Sequence, residues 1–214
     1  MRTWKGYRCE AVTREGFVKQ VAVQYLRHGY WFYVTGWVPE GKEPRAVDTK
    51  LMERYGINVP PWSRARRAKG QAAVHYVRFE RFFVLLACAG EHRFFELERA
   101  SIKDMRLFPL RFAGYEVSYR RSGVDASWHS SVSISRPVYL ELRRMLVSRC
   151  RYMPVEQAQA LLHRIPFYPY ARVRRQLLAL LRHVNAARRL SGRDALSAEC
   201  LRLRPWACRV FEQR

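Results

Sequence analysis

The pattern of apolar and polar positions changes character once along this chain, near Pro137. Before it, apolar residues come in short alternating runs, the period of half-buried strands. After it, they recur every three or four residues, the period of helices. Within the first part, residues 22–34 (AVQYLRHGYWFYV) and 73–85 (AVHYVRFERFFVL) align without a gap. Each copy has an apolar arm, a short polar break, then aromatic and β-branched residues. That layout suits either two paired strands or a short helix turning into a strand. The first copy's run carries polar tips at Tyr30, Trp31 and Tyr33, whereas the second (Phe82, Phe83, Val84, Leu85, Leu86) is plainly apolar. The pattern therefore predicts an internal strand echo (22–34 / 73–85), one copy presenting an aromatic face and the other buried.

The remaining elements follow from punctuation and spacing. Residues 1–19 read as a lead-in arm without clear period. Phe17, Val21 and Tyr25 fall at helical spacing with Gly29 as a stop, and a strand over 18–26 reads nearly as well. Residues 30–38 predict a strand ending at the Pro39-Glu40-Gly41 turn. Pro44 opens a helix with Val47, Leu51 and Met52 inward and Gly56 at its end. Residues 71–76 and 81–88 predict a hairpin, residues 107–119 a strand pair about Ala113-Gly114, and residues 131–135 a short strand. Three helices follow. Val138, Leu142, Met145 and Leu146 mark the first, and Pro154 opens the second. The third, over 170–190, places Val173, Leu177, Leu180, Val184 and Ala187 in one stripe, with Arg175, Arg182 and Arg189 on the opposite pole. The tail beyond residue 200 reads as a strand or an extended strap with Trp206 docked. The expectation is an α+β protein: a mixed or antiparallel sheet with helices over 1–135, then an arginine-rich helical part over 136–214.

Charge changes the picture most. Forty basic residues face eighteen acidic ones, a formal net charge of +22. Such a field calls for a polyanion partner, because unbalanced it works against compactness. Thirty-four of the forty are arginine, whose planar fork suits phosphate and guanine edges and stacks on bases. Nucleic acid is the expected partner, ahead of an acidic protein and an anionic membrane surface. No apolar run of membrane-spanning length occurs and no apolar leader core is present, so a cytoplasmic location is expected. The five cysteines form no CxxC pair, and reduced, mostly buried thiols are expected.

The candidate nucleic-acid contacts form three sets. The loop after Pro60-Pro61 carries Trp62, Arg64, Arg66, Arg67 and Lys69, an aromatic anchor beside a basic run. Arginine pairs mark the turn Arg120-Arg121 and the helices: Arg143-Arg144, Arg174-Arg175 and Arg188-Arg189, with Arg182 completing the pole. Tyr30, Trp31 and Tyr33 supply faces for base stacking. At this point residues 30–77 resemble an RNA-recognition motif. FYVTGW (32–37) looks like that family's first-strand motif, a helix follows, and KGQAAVHY (69–76) falls where its third-strand motif stands. The resemblance implies an αβ sheet binding single-stranded RNA. Ala73 departs from it where a stacking aromatic belongs, and no clear second helix precedes residues 115–119.

Catalytic signals are thin. No phosphate-cradling glycine loop, HExxH or GxSxG occurs, and the six histidines are scattered. Glu91, His92, Glu96 and Glu98 form the one acidic cluster of interest, and Glu96 and Glu98 would share a strand face able to hold Mg²⁺. The sequence thus points to a non-enzymatic protein, with no cofactor, that binds structured RNA as a ribonucleoprotein subunit. The alternative is a metal-dependent nuclease or strand-transferase, and either could belong to a mobile element.

Overall fold

The computed structural model describes residues 6–60, 70–123 and 126–212. Helices and antiparallel sheet make an α+β fold, with an arginine-rich helical part following the first strands. The chain divides into two compact units. The first comprises residues 1–110, 118–130 and 208–214, and the second residues 111–117 and 131–207.

The first unit opens with Cys9–Ala11 running beside Arg78. Ala11 N donates to Arg78 O at 2.7 Å, and Arg78 N to Cys9 O at 2.8 Å. Thr13 then caps α1 (Arg14–Lys19), its hydroxyl accepting from Gly16 N at 3.0 Å. The helix continues as a π-helical turn (Gln20–Tyr25) and a 3₁₀ turn (Leu26–His28), and Gly29 ends it at φ 90°. Helix therefore wins over strand here. The two halves of the predicted echo part company: residues 22–28 are helical while their counterparts form β2 (Val74–Phe79). Only the second halves agree, as β1 (Phe32–Trp37) and β3 (Phe82–Ala87), and these two strands pair with each other. What separates the copies is their partners. Arg78 in β2 is buried on Asp48, whereas Arg27 at the equivalent place is exposed.

α2 (Pro44–Arg54) begins at Pro44 as its sequence signals, with Glu43 capping Ala46 N at 2.7 Å. α3 (Arg93–Leu97) and β4 (Lys103–Asp104) complete the sheet, whose order is β2-β3-β1-β4 with all neighbours antiparallel. The element order is β-α-β-β-α-β, with a second helix the sequence did not reveal. The alignment needs one correction. Residues 70–76 lead into β2, and the third strand is FFVLLA. One sheet face, bearing Phe32, Val34, Val74, Tyr76, Leu85 and Ala87, packs with Leu51 and Met52 of α2 and Phe94 and Phe95 of α3. The other face meets the helical lead-in, Phe17 lying edge-on to Phe82 and Tyr25 stacking on His75. Val12 N also donates to Val210 O at 2.9 Å, and Thr13 Oγ1 to Arg209 O at 3.1 Å, which brings the tail back to this unit.

A second sheet has the order β5-β6-β7, formed by Leu110–Phe112, Tyr115–Arg121 and Trp128–Ile134. Ala113 and Gly114 take positive φ between β5 and β6, the two-residue turn their sequence suggests. In the second unit, α4 (Arg136–Cys150), α5 (Val155–His163) and α6 (Ala171–Leu190) bury Leu146, Ala158, Leu162, Val173, Leu177, Leu180, Leu181 and Val184. Gln176 locks α6 to β7, accepting from Ile134 N at 2.8 Å and donating to Ile134 O at 2.9 Å. Asn185 bonds both backbone groups of Leu196 in the same way. Residues 201–212 form no strand. Trp206 docks on Tyr168 with 4.8 Å between ring centroids.

Candidate nucleic-acid interface

On α6 the apolar stripe faces inward, which turns Arg175, Arg182 and Arg189 outward. Seven residues are nearly two helical turns, so successive guanidinium groups start about 10 Å apart along one pole. Arg174 on α6 and Arg143 and Arg144 on α4 are exposed as well. Among the described residues none of these six has a carboxylate partner within ion-pair distance. Arg188 does not belong with them. It is 1% exposed, and donates from Nε to Asp194 O and from Nη1 to Cys150 O and Met153 O, each at 2.7 Å. It lies on the apolar side of the helix and ties three carbonyls together, so it is not a phosphate contact.

The loop residues Trp62, Arg64, Arg66, Arg67 and Lys69 lie outside the described residues. Arg120 and Arg121, expected in a turn, instead extend β6 and are exposed. Arg120 Nε donates to Ser118 Oγ at 2.8 Å, and Arg121 Nε to Ala126 O at 3.0 Å.

The aromatic face predicted for the first copy is largely used inside the fold. Tyr33 is 3% exposed and donates its hydroxyl proton to Phe108 O at 3.0 Å, so it offers no face to a base. Tyr30 is half-buried, edge-on to His75 at 4.6 Å. The sheet face opposite α2 and α3 is covered by the helical lead-in, through Phe17 on Phe82 and Tyr25 on His75. Trp31, also half-buried, takes a different course and stacks on Tyr119, whose far side stacks on Trp128. Tyr119 and Trp128 escaped sequence reasoning. Their alternation along β6 and β7 places them on one sheet face, and that was the available signal.

The acidic cluster is dispersed. Residues 93–97 are helical, so Glu96 and Glu98 do not share a strand face. Glu98 is engaged by the Tyr55 hydroxyl, and burial followed by that bond pushes the phenol up to about 12. Glu91 is exposed at an isolated bridge to Gln71. Among the described residues no three His, Cys, Asp or Glu side chains are grouped to hold a metal ion. A cleft of about 750 Å³ lies over Cys9, Glu10, Arg45, Asp48 and Glu80. Burial and the Asp48 charge push the Cys9 thiol up to about 12, which keeps it protonated and a poor nucleophile. Beneath it Asp48 accepts from Tyr76 Oη at 2.6 Å and from Arg78 Nε and Nη2 at 2.8 and 2.9 Å. Burial works to lower the Arg78 pKa, but these bonds and the Asp48 charge outweigh it and raise it.

Among the described residues no helix is long and apolar enough to cross a membrane. Comparison with known proteins finds no family model, no curated protein and no solved structure that matches this chain.

Proposed function

We propose that this protein binds nucleic acid through arginine-phosphate contacts and serves as a subunit of a ribonucleoprotein, with structured RNA preferred over DNA. The observation that carries the reading is the outer pole of α6. Three exposed guanidinium groups repeat along one rigid rod, and no carboxylate neutralises them among the described residues. Arginines held this way on a helix need no reordering to meet a phosphate backbone, and each contact releases counterions. Folded RNA is favoured because it offers both a charged duplex for the helix and unpaired nucleotides for aromatic side chains.

The test is binding of labelled RNA hairpins and DNA duplexes between 50 and 400 mM salt, conditions that span the range in which counterion release dominates. Affinity should fall steeply and linearly on logarithmic axes, with RNA the tighter ligand. A salt-independent affinity, or none, refutes the proposal. Incubation of the same substrates with Mg²⁺ examines the enzymatic alternative. Cleavage that disappears in Glu96→Ala would replace a binding role with a catalytic one.

A further inference from the structure

Four side chains from three stretches of the first unit form one column. The Arg106 guanidinium lies 4.6 Å from the Trp31 ring centroid. Trp31 stacks on Tyr119 at 5.8 Å and 27°, and Tyr119 on Trp128 at 5.5 Å and 15°. Such separations describe offset stacks, the favoured parallel geometry. The foot of the column is closed: Asp104 accepts from Arg106 Nε at 2.9 Å and Nη2 at 2.6 Å.

The other end differs. Trp128 is 47% exposed, and Tyr119 is its one ring partner among the described residues. The bonds Ser122 N to Ser127 O and Ser135 N to Gly114 O belong to one β6–β7 register, which sets Arg121 directly across from Trp128. That is a close, non-hydrogen-bonded position of the ladder, with both residues on the same face. The pairing makes Arg121 the cross-strand neighbour of an indole held parallel to the stack beneath it, so a cation and a π-face share one sheet face. Arg121 Nε donates to Ala126 O at 3.0 Å, and its two terminal nitrogens are the groups offered to a phosphate. A nucleotide presents the complementary pair, a flat base and a phosphate. An aliphatic protein surface would use neither the parallel setting nor the charge.

We propose that Trp128 stacks an unpaired nucleobase of the bound polynucleotide while Arg121 takes its phosphate. This rests on the polyanion reading above and names its substrate class: a strand with unpaired nucleotides. Because the column is already assembled, little side-chain freedom is lost on binding.

The experiment titrates the full chain with two duplexes, one blunt and one bearing a single-stranded tail that contains 2-aminopurine. Wild type should quench the tail's emission, and Trp128→Ala should abolish the quench. The same change should weaken the tailed ligand roughly 5- to 150-fold, leaving blunt-duplex affinity and its salt slope in place. Trp128→Tyr, which keeps a stacking face, should restore much of the quench and so separates stacking from misfolding. Equal quenching by wild type and Trp128→Ala overturns the inference while the polyanion reading stands. Unchanged quenching with an altered sedimentation coefficient would assign Trp128 to protein association, and overturns it too. Failure of wild type to bind either duplex at low salt removes the underlying reading itself.

Discussion

The two units carry similar excesses of positive charge and spend arginine in opposite ways. In the first unit the best-placed arginines are answered by carboxylates: Arg78 by Asp48 and Glu10, Arg106 by Asp104. The second holds sixteen arginines and no lysine against five acids, and Arg143, Arg144, Arg174, Arg175, Arg182 and Arg189 on its helices meet no carboxylate within ion-pair distance among the described residues. Its one buried arginine on α6, Arg188, is satisfied by backbone carbonyls instead. Net charge alone therefore says little about where a polyanion would bind. The partner of each guanidinium decides whether it is mortar or bait.

The contrast can be broken most forcefully at Arg78. Arg78→Ala leaves Asp48 and the Tyr76 hydroxyl in a buried site without the cation, and should cost about 3–5 kcal/mol, read by denaturant unfolding. Next comes Arg188→Ala, which strips three carbonyls of their donors and should cost about 2–4 kcal/mol. Arg188→Lys should recover little, because a point charge cannot reach three acceptors as the fork does. Its neighbour sharpens the point: Arg189→Ala should change stability by no more than about 0.5 kcal/mol.

Third, replacing Arg175, Arg182 and Arg189 together by alanine should leave unfolding nearly unchanged while the logarithmic salt slope of nucleic-acid binding falls by about 2–3. A triple variant that binds as before would dissolve the distinction between the units. A last test, confined to alkaline pH, concerns the Cys9 thiol, raised by burial in the folded state from 9.0 to about 12. Since the folded state holds this proton more tightly, stability present below pH 9 should decline as pH climbs towards 12. Cys9→Ala should flatten that part of the profile in an alkaline unfolding series.

Much of the architecture was legible because its signals are local. Pro44 and Gly56 bracket α2, Ala113-Gly114 makes its turn, and the stripe of α6 follows from spacing alone. The 22–34 / 73–85 echo misled because similar segments were compared without their partners. One copy is π-helical over Gln20–Tyr25, while in the other Arg78 sits on Asp48 and its strand pairs with β3, partners that lie outside either segment's own pattern. Arg188 illustrates a finer lesson. Its phase on the α6 wheel falls among the apolar residues, so burial was readable, but its pairing with Arg189 suggested a surface role. The column through Trp31, Tyr119 and Trp128 was hidden for a different reason, since the β6–β7 pair must meet a residue nearly ninety positions earlier before it exists. Tyr33 shows the converse: an aromatic residue read as a stacking face is buried and spends its hydroxyl on Phe108 O.

The return of residues 208–212 to the lead-in has a consequence for biogenesis. Val210 and Arg209 supply carbonyls to Val12 and Thr13, so one segment is completed by another that is translated much later. Everything from residue 131 to 207 must be translated in between. Until residues 209 and 210 are made, Val12 N and the Thr13 hydroxyl lack these acceptors, and a chain stalled before them is a natural client for chaperones.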